Sequence, residues 1–397
     1  MSISQLVDHI GKVNIADDLD EETLVALGQR VAEDYQRDHE SMSDWLNHVE
    51  KGLDLSKQEW EAKSTPWQGA SNYKDPSLTQ AAVLFGDKAS LELLRSKDLV
   101  SSEIIGTDTP EKKDSAERVV TFENYQVNHD MNDWRGTTEK SFYILPNTGT
   151  VFKNTVYDPL EDKSESHLIC YPNFAVNQAT KSMEDCRSFS CLLDFSDNEI
   201  IEKERSGRWL KLKPGVEDEN KGPNKDGEKK SNEAEDVVHA SDNPCKFIEQ
   251  QCYFDLDNDG YEEPYIVTIY YPTKQVLRIV ARFDENSIMV RRKGSDQIVP
   301  LPEARELAAA EITEQFGGEE VIKLLAIAPE EPNDNDFELV KINPFQQLTK
   351  YEFIPSPDGT FLGLGYTHLM AALVQQINSL TNQLTDRGVL NNLGGGS

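Results

Sequence analysis

The stretch Asp255–Leu256–Asp257–Asn258–Asp259–Gly260–Tyr261–Glu262–Glu263 carries the residue types most able to do chemistry. Carboxylates at alternate positions before a glycine open a calcium loop: the acids converge on a hard cation and the glycine makes the sharp turn. The twelfth position of such a loop is Ile266 rather than a bidentate glutamate. Strand-like residues flank it instead of helices, so it is not an EF-hand. The reading is a hairpin tip that could hold Ca2+ through Asp255, Asp257, Asp259 and Glu263, a cofactor the chain does not require. The plainer alternative is a polar connection, where Asp, Asn and Gly suit the turn. A hydrolase or nuclease built on the same acids and a divalent ion would need a basic groove for nucleic acid, and the chain is acidic.

Nothing else resembles a reactive centre. Gly363–Leu364–Gly365 precedes a helix but lacks a third glycine and a β-α-β setting. There is no phosphate-binding loop with its lysine, and the seven histidines lack metalloprotease spacing. Serine, histidine and aspartate form no nucleophile elbow. The five cysteines, Cys170, Cys186, Cys191, Cys245 and Cys252, are odd in number and show no two-residue spacing. They read as reduced packing thiols. The expectation is a protein that is not an enzyme.

These pieces need elements to position them. Residues 351–388 read as a strand, a tight turn, a glycine-eased bend and one long helix. Thr367 is a candidate N-cap and Gly388 a candidate stop. Leu369, Leu373, Ile377, Leu380 and Leu384 share one helical face, and Gln375, Gln376, Asn378, Asn382 and Gln383 take the other. The plain expectation is a surface helix lying on a core. Residues 20–53 carry a helical stripe (Leu24, Leu27, Val31, Tyr35, Met42, Trp45, Val49, Leu53), with a break near Ser41 or Ser43. Acids cluster at its start, where the helix dipole favours them. Helices are expected over 77–94 and, broken, over 111–143. From residue 148 the pattern turns to strands: 150–157, 167–171, 188–195, 245–254, 264–271, 275–283 and 287–292. A capped short helix follows Ser196. A helix over 302–316 precedes extended stretches at 321–327 and 337–342.

With 397 residues, 37% of them hydrophobic, and a net charge of −31, the chain should hold more than one domain and some exposed loop. The organisation expected is a mainly helical part (1–147), a β-rich wing in two halves (148–213 and 244–350), and a terminal strand, turn and stem-like helix (351–397). A mobile polar loop (214–243), nearly devoid of large apolar groups, separates the wing halves. The fold class is α+β. No apolar run is long enough to span a bilayer and the start lacks a signal peptide, so a cytoplasmically made protein is expected. The acidic balance argues against wrapping DNA, yet a negative wall lets DNA slide past.

Several segments, in shared order, resemble the portal proteins of tailed bacteriophages, in particular a podovirus-like group. They are Pro66–Trp67–Gln68–Gly69–Ala70–Ser71–Asn72; Asn124–Tyr125–Gln126 with Trp134; Leu145–Pro146–Asn147–Thr148–Gly149–Thr150–Val151–Phe152–Lys153; residues 255–267; and residues 350–359 with Gly363, Gly365 and the Asn378/Asn382/Gln383 helix ending at Asn391–Asn392–Leu393–Gly394–Gly395. The resemblance spans most of residues 60–397. It implies a homo-oligomeric ring, usually a dodecamer, at one capsid vertex of the virion. Double-stranded DNA would pass through its channel during packaging and ejection. The partners implied are the terminase large subunit, the major capsid protein and a head–tail adaptor, with ATP hydrolysed by the terminase. Portals of this group continue well beyond the glycine pair, so a C-terminal part is expected to be missing. The rival reading is a calcium-supported phage structural or adhesion module without a DNA channel.

Overall fold

The computed structural model describes residues 3–59, 67–131, 133–158, 162–213, 245–256, 259–293, 296–315 and 336–393. The polar loop 214–243, the extended stretch 321–327 and Asp257 lie outside the described residues. The chain is a mixed α+β protein in which every strand pairing described is antiparallel. It divides into two compact units. Unit 1 comprises Met1–His39, Asn173–Val176 and Cys186–Gln346; unit 2 comprises Glu40–Pro172, Asn177–Asp185 and Gln347–Ser397.

Unit 1 is built on a five-stranded sheet of order β3-β4-β5-β6-β7 (Phe174–Val176, Phe189–Phe195, Cys245–Phe254, Glu263–Tyr270, Gln275–Ala281). β6 lies between β5 and β7 and is almost wholly buried, with Tyr265, Val267 and Ile269 fully inside. Its run of apolar and β-branched residues suits a strand covered on both faces. The β7 edge is closed by α1 (Ile3–Gly11) and the turn after it. Asn14 donates its amide to the Leu277 carbonyl at 3.0 Å and accepts the Ile279 N–H at 3.0 Å. A single side chain thus satisfies edge groups that would otherwise be open to pairing.

Helix α2 (Glu21–Ser41) lays Leu27, Val31 and Tyr35 inside. It comes so close at Gly28 that a Cβ there would stand 2.0 Å from the Lys274 carbonyl oxygen. Helix α7 (Asp197–Arg205) starts on a Ser196/Glu199 capping box, as the sequence predicts. It brings Ile200 to Trp209, Phe247, Tyr270 and Leu277. A second sheet, β10-β8-β9 (Phe337–Ile342, Ile288–Arg292, Ile298–Pro300), carries α8 (Leu301–Gln315).

Unit 2 is mostly helical: α3 (Ser43–Lys57), α4 (Ser77–Leu93), α5 (Pro110–Tyr125), α6 (Trp134–Thr148) and α9 (Tyr366–Leu393). A three-stranded sheet, β11-β1-β2 (Leu348–Glu352, Thr150–Asp158, Lys163–Ile169), completes it. The predicted break between α2 and α3 falls at Met42, and the long region 111–143 breaks at a π-turn, Gln126–Asp130. Helix α9 differs from expectation at both ends. It begins one residue before Thr367, whose hydroxyl donates to the Asn147 carbonyl at 2.7 Å and caps nothing. It also runs through Gly388 to Leu393, because a lone glycine costs a helix only about 1 kcal/mol.

Candidate functional site: the acidic hairpin and the α9 junction

The acidic stretch forms the tip of the β5–β6 hairpin in unit 1. Asp255 accepts the N–H groups of Asp259 (3.2 Å) and Gly260 (2.8 Å), one on each carboxylate oxygen. Asp259 accepts the Tyr261 N–H at 2.8 Å, and Gly260 takes φ 94°, which glycine alone adopts without strain. Both carboxylates therefore act as acceptors for the turn's own backbone. Glu262 receives Arg30 at 2.8 Å and also Arg187. Glu263 lies fully buried in β6, opposite Phe254 in the ladder. Asp255 and Asp259 thus share one turn, Glu263 belongs to the sheet, and Asp257 is outside the described residues. Among the described residues no three His, Cys, Asp or Glu side chains are grouped as metal ligands.

A second constellation lies wholly within unit 2, where segments distant in sequence meet. The first part is a polar seam between residues 71–75 and α9. Asn382 accepts N–H from Tyr73 (2.6 Å) and the hydroxyl of Ser71 (2.9 Å), and donates to the Tyr73 carbonyl (3.1 Å). Asn378 accepts the Asp75 N–H at 2.6 Å, and Asp386 the Ser71 N–H at 2.7 Å. Positions 378, 382 and 386 step by four, so they stand in one row along the helix. That row meets the backbone N–H groups of Ser71, Tyr73 and Asp75 and the Tyr73 carbonyl.

The second part is a glycine knot where α6 ends and α9 begins. Gly149 closes α6 with φ 87°. A Cβ on Gly149 would stand 2.5 Å from the Gly365 nitrogen, and one on Gly365 would stand 2.2 Å from the Asn147 oxygen. Trp45 of α3 donates its indole N–H to the Gly363 carbonyl at 2.9 Å, and Thr150 accepts the Gly363 N–H at 2.8 Å. The Gly365 carbonyl accepts the His368 N–H at 3.0 Å, while the Gly365 N–H donates to His368 Nδ1 at 3.1 Å. This is half of a capping box, with the His368 ring in the usual glutamate place and the Gly365 backbone carbonyl standing where an N-cap side chain would. The arrangement requires a neutral imidazole. Burial, followed by the stacked ring of His48 at 5.9 Å, pushes His368 down to about 4.

Behind the knot, Lys153 of β1 is 5% exposed. Its ammonium lies over the Trp134 ring at 4.7 Å and donates to the Thr138 hydroxyl; burial pushes it down to about 8. Sequence reasoning passed over His48 and His368, and it gave Trp45 and Lys153 no role beyond the helical stripe and the portal-like segment that hold them. None sits in a catalytic motif, and the four-residue step of Asn378 and Asn382 was the one legible sign of the seam.

The orientation of α9 corrects the plain expectation of a leucine face against a core. Val374 and Asn382 are buried, together with Thr367, and the amide row faces the body of the unit. Leu369, Leu373, Leu380 and Leu384 point the other way, each between 51% and 70% exposed. At 100° per residue the two sets lie on opposite sides of the helix.

No protein-family model matches the chain, and no curated protein matches its sequence. No helix among the described residues is long and apolar enough to cross a membrane.

Proposed function

We propose that this chain is a subunit of a phage-portal-type ring, a non-enzymatic channel at one capsid vertex through which double-stranded DNA enters and leaves. The observation that carries this reading is the α9 junction. Three of the segments that resemble portal sequences, residues 66–72, residues 145–153 and the stretch from Gly363 into the Asn378/Asn382 helix, are far apart in the chain. They form a node in two parts along α9: Ser71, with the backbone just after it, bonds to Asn382 and Asn378, and Asn147 and Thr150 bond to Thr367 and Gly363. Motifs that matched by accident would have no reason to converge. The node fixes α9 with its leucines outward, and an apolar helix face left open by its own fold suits packing against a neighbouring subunit.

A net charge of −31 suits a wall past which phosphates slide without sticking. Terminase, the major capsid protein and a head–tail adaptor are the partners this role calls for, and the hydrolysis that drives DNA would belong to the motor. Negative-stain microscopy of the protein, purified alone and co-expressed with its capsid protein, tests the reading. Closed rings with a central channel are expected, and labelled protein should appear at a single vertex of the virion. Monomers under every condition, together with virions lacking the chain, would sink it.

A further inference from the structure

We infer that the leucine face of α9 is a self-association surface, met on the next copy of this chain by the Val119–Phe122 face of α5. The inference rests on the ring reading and adds which faces touch.

The first observation is charge. Helix α9 is 28 residues long and its only charged side chains are Asp386 and Arg387. Asp386 is turned inward onto the Ser71 N–H, so the exposed side presents leucines, amides and one arginine, and no carboxylate. Two copies of a chain with net charge −31 repel one another unless the meeting surface is cleared of acids. A partner that is itself strongly acidic is the one for which that clearing matters, and a second copy is such a partner.

The second observation is an unmet need elsewhere in the same unit. Helix α5 has 16 residues and none of them is buried. A helix of that length in water draws most of its stability from packing an apolar face. Here Asn124 ties it to the preceding loop, accepting N–H from Leu99 (2.8 Å) and Val100 (3.0 Å) and donating to the Val100 carbonyl. Val119 and Phe122 stand 54% and 57% exposed.

The third observation is geometry. Leu369, Leu373, Leu380 and Leu384 are spaced four, seven and four, which at 100° per residue keeps them in one narrow stripe along the helix. Helix α9 already packs on α3, α4 and α6 of its own chain, and the leucines remain uncovered. Two leucine faces meeting each other would stop at a dimer. Two different faces meeting head to tail propagate, and close when the rotation allows.

Light-scattering mass measurement on the full chain tests this with Leu380→Glu, Phe122→Glu and an equimolar mixture of the two. Both positions are exposed, so circular dichroism and melting should match the unsubstituted protein at a dilution where both are monomeric. Each variant alone should associate at least about tenfold more weakly. The mixture should recover a dimer and no larger species, because each variant supplies the face that the other lacks. If Leu380→Glu abolishes assembly and Phe122→Glu leaves it intact, the leucine faces meet one another and the inference is overturned. Rings that survive both substitutions overturn the face assignment while leaving the ring reading standing. A protein that stays monomeric at every concentration overturns both. If that monomer floats with phosphatidylcholine vesicles, and Leu380→Glu abolishes the flotation, a bilayer is the occupant.

Discussion

Asn382 and the backbone of Tyr73 exchange two hydrogen bonds, N–H to Oδ1 at 2.6 Å and Nδ2–H to the carbonyl at 3.1 Å. One buried amide thus gives the Tyr73 backbone the acceptor and the donor that a neighbouring strand would. Removing it leaves two backbone groups and the Ser71 hydroxyl without it. Asn382→Leu should cost about 3 kcal/mol, whereas Asn378→Ala, which loses one bond, should cost about 1 kcal/mol. Urea unfolding followed by fluorescence measures both, and equal losses would contradict the seam.

The glycine knot predicts opposite signs for two alanine substitutions. Gly365→Ala drives a methyl to 2.2 Å from the Asn147 oxygen, a backbone atom that cannot yield cheaply. A loss of about 3 kcal/mol is expected. Gly388 has open space around its missing Cβ and sits inside α9. Gly388→Ala should therefore stabilise by about 1 kcal/mol. Thermal melts of the two variants should shift in opposite directions.

His368 gives the pH dependence its sign. The folded protein holds the imidazole neutral, near 4, while the unfolded chain titrates near 6.5. Above 6.5 both states are neutral and stability is unaffected. Between 6.5 and 4 the unfolded state binds a proton that the folded state refuses, so stability falls as pH falls, and the loss from this group levels off below 4. Its partial contact with solvent reduces the effect to about 2 kcal/mol. His368→Gln keeps an acceptor for the Gly365 N–H and removes the proton. The difference in unfolding midpoint between the two proteins should grow from pH 7 to pH 4, and a constant difference would exclude this histidine as the source.

Lys153 predicts a gain on removal. Its ammonium is buried with a hydroxyl and a ring as its partners and has no carboxylate among the described residues. The folded pKa near 8 lies below the ordinary value, so the charged form is penalised at pH 7 and the penalty fades as pH rises toward 10.5. Lys153→Met keeps the stem's volume and should stabilise by about 1 kcal/mol at neutral pH, with the gain shrinking in alkaline buffer. Differential scanning calorimetry at both pH values checks it.

Much of the fold was legible because local rules act within a few residues. β-Branched and aromatic residues mark β1 over 150–157, and the serine with its glutamate marks the start of α7. The helical stripe from Leu24 to Leu53 and its break at Met42 follow from period and from the two serines. The acid hairpin was visible as a turn, since Asp255, Asp259 and Gly260 act on their own neighbours.

The sequence by itself determined where elements begin, which of them are amphipathic, and that charge would keep copies apart unless a surface was cleared of acids. Only the tertiary structure decided which face of α9 is inside. Hydrophobic period alone turns Leu373 and Leu380 inward, because burying apolar area is the largest local gain. The structure turns Asn378 and Asn382 inward instead, because the backbone N–H groups of Tyr73 and Asp75 find their acceptors there. That demand arises some three hundred positions away in the chain, and no window read along α9 contains it.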